Sequence, residues 1–366
     1  MKSKPFMPVP SPVPVTLVGC GAISQLFYSG ALAALEAAGE VSVVCLVDPV
    51  AANRDALHHL FPNARCETEF RADALTVDDL VIVASPPRFH ATQSIAALAA
   101  GASVLCEKPM AMNTAECAAM TAAAKAGTGH LAIGLYRRFF PAFEALHEIL
   151  KTEIYGPLRS FSVREGSAYR WAAASASFSD PASTLGGVFY DVGPHVMDIL
   201  LWLLGEPSNW TYADDALGGL EVNCVVNLEY KDGLRGSIRL SKDWDLGNAH
   251  VFSFERADVI WPVGQAARLR IRPQASAFLF DTELRTPENR AMLNEPQCFT
   301  RQILNLIRAM RGEEVVQVTP DAATRSLAFI EDSYARREPM QMAWLTEEEQ
   351  RIVDSNRKSH AAVLPR

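Results

Sequence analysis

Short apolar runs alternate with helical patterns along the first 135 residues, and this constrains the fold more than any other feature. The apolar runs are VPVTLVGC (13–20), VSVVCLVD (41–48), DLVIVAS (79–85), SVLCEKP (103–109) and HLAIGL (130–135). Between them lie AISQLFYSGALAALEAAG (22–39), AANRDALHHLF (51–61), HATQSIAALAAG (90–101) and TAECAAMTAAAKAG (114–127). In the first of these, Leu26, Phe27, Ala31 and Leu35 recur at helical spacing. A strand that is apolar at successive positions must be covered on both faces, and intervening helices supply the cover. The pattern predicts a doubly wound parallel sheet, an α/β domain of Rossmann type over residues 15–135, preceded by a Pro-rich segment 1–14.

After about residue 150 the pattern changes. LRSFSVREG (158–166) reads as a polar strand, and the apolar helical stretch GGVFYDVGPHVMDILLWLLG (186–205) follows. LEVNCVVNLEY (220–230) then sets Val222, Cys224, Val226 and Leu228 against Glu221, Asn223 and Asn227. Lys231-Asp232-Gly233 signals a hairpin, and LRGSIRLS (234–241) continues with Arg235, Ser237 and Arg239 outward. HVFSFERADVIWPV (250–263) and ARLRIRPQASAFLF (267–280) extend the series. Residues 136–298 are thus expected to form an α/β substrate and oligomerisation domain on a largely antiparallel open sheet, its polar face suited to a homodimer or homotetramer contact. FTRQILNLIRAMRG (299–312) and AATRSLAFIEDSYARR (322–337) predict amphipathic helices. They belong to a terminal segment, 299–366, expected to pack back on the first domain.

A chain of 366 residues suits two domains, and 49% hydrophobic with 21% charged residues suits a packed globular core. A net charge of −8 without a dense Lys/Arg cluster argues against nucleic acid as a partner. The seven cysteines (Cys20, Cys45, Cys66, Cys106, Cys117, Cys224, Cys298) are odd in number, scattered and without a Cys-x-x-Cys pair. That is the usage of reduced thiols in a cytoplasmic protein, and it suggests neither disulfides nor a metal site. MKSKPFMPVPSPVPV is broken by prolines and lacks the apolar core of a signal peptide, and no window reads as a membrane span.

Gly19-Cys20-Gly21-Ala22-Ile23-Ser24 falls where the first strand turns into the first helix. There the first glycine makes the turn, the second lets a pyrophosphate approach the backbone, and the helix N-terminus faces the anion. Ser24 stands in place of a third glycine or alanine. Asp48 closes the next strand, where a carboxylate can accept ribose hydroxyls or simply cap the following helix. Pro49-Val50-Ala51-Ala52 supplies no cation for a 2′-phosphate, which favours NAD over NADP, although Arg54 lies one helical turn on. Glu107-Lys108-Pro109 follows a strand at its carboxyl end, the edge at which open α/β sheets bind ligands.

With these motifs and the loop Ser85-Pro86-Pro87-Arg88-Phe89-His90 in order, the chain resembles the glucose–fructose oxidoreductase/inositol dehydrogenase (Gfo/Idh/MocA) family over nearly its whole length. The second family signature reads Gly186-Gly187-Val188-Phe189-Tyr190-Asp191-Val192-Gly193-Pro194-His195-Val196-Met197-Asp198. The resemblance implies that Lys108, Asp191 and His195 converge beside a nicotinamide, and that Lys108 precedes a cis proline. Gly19, Gly21, Ala22, Ile23, Asp48, Ser85, Pro86, His90, Glu107 and Lys108 are the expected cofactor contacts. Tyr136 and Pro87 depart from the family, standing where asparagine is common.

Asp191 and His195 are one helical turn apart, so the carboxylate can orient or charge the imidazole, a group suited to general-base work. Lys108 can polarise the same oxygen. Alternatively, Pro194 in a first turn would make Asp191 the N-cap of the helix. Asp198 either holds the ring from its other side or makes a structural hydrogen bond. Arg137, Arg138, Tyr169, Arg170 and Trp171 are candidates to line a sugar pocket, or else form a solvated basic face. The expected reaction is hydride transfer between a secondary hydroxyl of a cyclic polyol, sugar or nucleotide sugar and nicotinamide. The alternatives are a glycosidase working through transient oxidation and a non-catalytic NAD-binding regulator.

Overall fold

The computed structural model describes residues 12–167, 184–216, 219–285 and 293–341, with 346–348, 351 and 355 beyond. The first half runs β1 (Val13–Val18), α1 (Ser29–Ala37), β2 (Val41–Val47), α2 (Ala51–His58), β3 (Arg65–Glu67), β4 (Leu80–Val83), α3 (His90–Ala99), β5 (Ser103–Cys106), α4 (Thr114–Ala126) and β6 (Leu131–Ile133). The six strands are parallel in the order β3-β2-β1-β4-β5-β6. That order reverses between β1 and β4, so the crevice for a ligand opens above the carboxyl ends of β1, β4 and β5. β3 has no counterpart in the sequence reading, because all three of its residues are exposed and it carries no apolar run.

The first crossover differs from a plain helix over 22–39. A π-helical turn, Ser24–Tyr28, precedes α1. With i→i+5 bonding it takes more residues per turn than an α-helix, and this shifts the apolar stripe. Leu26, expected on the buried face, is therefore 53% exposed, while Tyr28, Ala31, Leu32 and Leu35 are buried.

The second half contains α5 (Pro141–Thr152), β7 (Leu158–Gly166), α6 (Val188–Asp191), α7 (Gly193–Leu204), β8 (Asn209–Asp214), β9 (Asn223–Glu229), β10 (Arg235–Ser241), β11 (Ala249–Phe254), β12 (Ala257–Pro262), β13 (Arg268–Pro273), β14 (Phe280–Glu283), α8 (Glu295–Met310), α9 (Pro320–Ala335) and β15 (Glu338–Pro339). The nine strands run in the order β14-β13-β12-β11-β7-β10-β9-β8-β15. The sheet is antiparallel except where β7 meets β10 and β15 meets β8. The expected hairpin joins β9 to β10, with Gly233 at φ 86°. One sheet face buries Phe161, Val163, Cys224, Val226, Ile238 and Phe252 in the core that also holds Val188, Phe189, Val196, Met197 and Ile199 of α6 and α7.

The terminal helices return to the first half. Phe299, Ile303, Leu306 and Ile307 of α8 share a core with Val15, Leu17, Tyr28 and Leu32. Phe27 and Phe299 stack at 4.9 Å between ring centroids. α9 lies against α4 and α7, where Glu331 accepts from the backbone N–H and hydroxyl of Thr114.

Candidate active site

Three strand ends build the nucleotide side of the crevice. Gly19 has φ 93°, and a Cβ there would lie 2.5 Å from the Ser85 nitrogen, so only glycine lets the β1 turn rest against the loop after β4. The Ser24 hydroxyl donates to the Gly19 carbonyl at 2.6 Å, which satisfies the serine that replaces a third small residue. Around Gly21 a Cβ would meet nothing within 4 Å. Open space there, together with the N–H groups that a first helical turn leaves without intrahelical acceptors, fits a pyrophosphate.

Asp48 faces back toward this turn. Its Oδ2 accepts the Cys20 N–H at 2.9 Å and its Oδ1 accepts the Val50 N–H at 2.8 Å, with the Asn53 amide 3.3 Å from both oxygens. The Arg54 guanidinium donates to the Asp48 carbonyl. His90 is a buried strut whose ring nitrogens lie 2.9 Å from the Pro109 carbonyl and 2.7 Å from the Ser85 carbonyl. Both oxygens can only accept, so a neutral ring donates to one of them. Its polar atoms thus tie two loops together rather than face the crevice.

The Lys108–Pro109 peptide is cis. Glu107 is buried beneath it, accepting the Tyr28 hydroxyl at 2.7 Å and the Lys108 N–H at 3.0 Å. Burial pushes the Glu107 carboxyl up from its ordinary value, against the hydrogen bond from Tyr28 and the charge of Lys108. Glu107 braces the lysine from below. Gly134 permits this, since a Cβ there would lie 2.8 Å from the Glu107 carboxylate.

Lys108 Nζ reaches across to α6, donating to Asp191 Oδ1 at 3.1 Å and to the Asp191 carbonyl at 3.0 Å. The second Asp191 oxygen lies 3.1 Å from Lys242 Nζ, a residue the sequence reading did not single out. Burial pushes the Asp191 carboxyl up, but Lys108 and Lys242 outweigh it and hold the group below its ordinary value. Asp191 does not cap the following helix: it ends α6, and the residue before α7 is Val192, which makes no side-chain cap bond. Its carboxylate is turned to lysines, not to the imidazole.

His195 is buried in the first turn of α7, its Nδ1 without a hydrogen-bond partner. Burial, then the charges of Lys108 and Arg137, push the imidazole well below its ordinary value near 6.5, against the pull of Glu165. The ring is therefore neutral at physiological pH. Tyr136 meets it edge-on at 5.0 Å, stacks on Phe299 at 4.6 Å and donates its hydroxyl to Glu295.

The arginines expected to face a substrate or solvent do neither. Arg138 is buried in a two-pronged pair with Asp198, at 2.8 and 2.6 Å, and this removes both Arg138 from the pocket and Asp198 from the histidine ring. Arg137 pairs with buried Glu165 at 2.6 and 2.9 Å, and Glu165 also meets His250 at 2.7 Å. Tyr169, Arg170 and Trp171 lie outside the described residues. Among the described residues, no helix is long and apolar enough to cross a membrane.

A doubly wound half with a glycine turn at its switch point, facing a lysine, an aspartate and a neutral histidine, defines a two-domain dinucleotide-dependent oxidoreductase. The chain belongs to the Gfo/Idh/MocA family. Residues 13–134 match its profile described as an oxidoreductase family, NAD-binding Rossmann fold, and residues 143–259 match the GFO/IDH/MocA C-terminal domain. The rhizopine catabolism protein MocA of Rhizobium meliloti is 28% identical, over 67% of this chain and 78% of its own. The trans-1,2-dihydrobenzene-1,2-diol dehydrogenase of Sus scrofa is 30% identical, over 63% of this chain and 69% of its own. A levoglucosan dehydrogenase solved with NADH and levoglucosan superposes with a TM-score of 0.75 at 16% identity, covering 88% of this chain and 98% of that one.

Proposed function

We propose that this chain is an NAD-dependent dehydrogenase acting on a secondary hydroxyl of a cyclic polyol, sugar or nucleotide sugar. The observation that carries the reading is the Lys108 ammonium, fixed at the carboxyl edge of the parallel sheet by the Asp191 carboxylate 3.1 Å away. Bound nicotinamide would supply the hydride acceptor. Lys108 holds the substrate oxygen and stabilises its developing negative charge. His195, neutral and nearly dry, takes the hydroxyl proton, and Asp191 keeps the lysine in place. The glycine turn at Gly19 and Gly21, with Ala22 and Ile23, receives the pyrophosphate. The Asp48 carboxylate favours NAD by repelling a 2′-phosphate. The relatives named for a diol dehydrogenase and for levoglucosan oxidation support a hydroxyl donor of this class. The broad outer face of the nine-stranded sheet is the proposed subunit contact.

A panel of polyols, sugars and nucleotide sugars, followed by nicotinamide absorbance with NAD and with NADP, tests the substrate class. Lys108→Ala is expected to abolish turnover of whichever substrate responds while leaving NAD binding largely intact. Undiminished turnover would remove Lys108 from the chemistry.

A further inference from the structure

Asp191 serves two cations, and only one of them belongs to the expected cluster. Lys108 comes from the loop after β5 and Lys242 is the residue that follows β10, so the carboxylate between them ties the nucleotide half to the large sheet. The three side chains are only 16%, 20% and 16% exposed for Lys108, Asp191 and Lys242. A carboxylate held at one oxygen can still pivot about that contact. One held at both oxygens cannot turn without breaking a charge-assisted hydrogen bond. β10 is itself fixed, with β7 and β9 on either side, and Ser241 immediately before Lys242 is buried.

We propose that Lys242 is a positioning residue for the oxidation: by holding Asp191 Oδ2 it fixes the plane of the carboxylate, and through it the Lys108 ammonium, against the reacting hydroxyl. The proposal rests on the dehydrogenase reading above for its consequence in turnover, and on the clasp geometry alone for its structural content. The direction of the Asp191 shift agrees, since both lysines favour the ionised carboxylate. Among the described residues, the other ionisable groups around the site include Glu107 beneath Lys108, His195 on α7 and, behind it, Arg137 and Glu165.

The experiment uses the full-length protein and the variants Lys242→Gln, Lys242→Met and Lys242→Arg. The first two are expected to lower kcat about 10–100-fold through misplacement of the reacting group. They should also move the acid limb of the kcat/KM profile up, because a cation lost beside Asp191 favours the protonated form of the groups around it, the His195 base included. NAD affinity stays at the wild-type value, and Lys242→Arg restores the limb. A merely structural Lys242 would lower stability and leave the limb in place, which would overturn the proposal. A second readout needs no substrate: the aspartate carboxyl carbon resonance that disappears in Asp191→Asn is titrated in each resting protein. Its midpoint is expected to rise in Lys242→Gln and Lys242→Met. A raised midpoint in a protein that oxidises no polyol supports the clasp and removes the substrate reading. An unmoved midpoint in an active enzyme overturns the clasp and leaves that reading intact.

Discussion

Arg138 and Asp198 are 60 positions apart and both buried, joined by two short hydrogen bonds. Burial raises the Asp198 carboxyl, and the guanidinium opposes that rise. Removing one member of such a pair leaves an uncompensated charge in the core, a loss of about 3–5 kcal/mol. Asp198→Asn is therefore expected to lower the urea midpoint by that equivalent while leaving NAD affinity unchanged in whatever fraction stays folded. A midpoint at the wild-type value would mean that Arg138 finds water or another acceptor. The same pair marks what could be read from sequence. Arg137-Arg138 looks like a basic face because their acids, Glu165 and Asp198, are distant in the chain. Nor does anything local to Ser241-Lys242-Asp243 announce a partner for Asp191. Lys108, Asp191 and His195 were legible because each sits inside a motif with its own spacing. Lys242 and the buried arginine pairs were not, because tertiary packing alone creates them.

The β1 turn shows how much one element can demand of one residue. Gly19 combines a left-handed φ of 93° with a contact that any Cβ would violate, at 2.5 Å from Ser85 and 2.6 Å from Ala84. Gly19→Ala must either strain the turn or push β1 away from the loop after β4, at a cost of about 1–3 kcal/mol. The expected result is a lower melting temperature together with weaker NAD binding, read by thermal unfolding and fluorescence titration. Retained affinity would show that the pyrophosphate does not use this turn. Most elements followed from periodicity: five of the six parallel strands, their helices and the β9–β10 hairpin. The exceptions have physical reasons. β3 has no buried residue to betray it, and the π-helical turn before α1 obeys neither a helical nor a strand period. The parallel pairing of β7 with β10 joins strands separated by α6, α7, β8 and β9, a relation no local pattern encodes.

Among the described residues of the whole molecule, three histidines are buried with imidazoles pushed below their ordinary value near 6.5: His90, His195 and His250. Burial is the leading cause in each. Unfolding returns them to that ordinary value, so the unfolded chain binds more protons below it. The stability they contribute is complete above about pH 6.5 and is lost as the pH falls toward their folded values. Glu107, Asp198 and Asp214, raised by burial, act in the opposite sense. Comparing variants isolates the histidine part: His195→Gln should flatten the fall in urea midpoint between about pH 7.5 and 5.5. An identical slope in the variant would mean that the imidazole is not held neutral. Domains emerging from a ribosome generally fold as units, the N-terminal one first. Here Phe299, Ile303, Leu306 and Ile307 complete the core built on β1, so the nucleotide half must wait, part-finished, until the chain has been synthesised through α8.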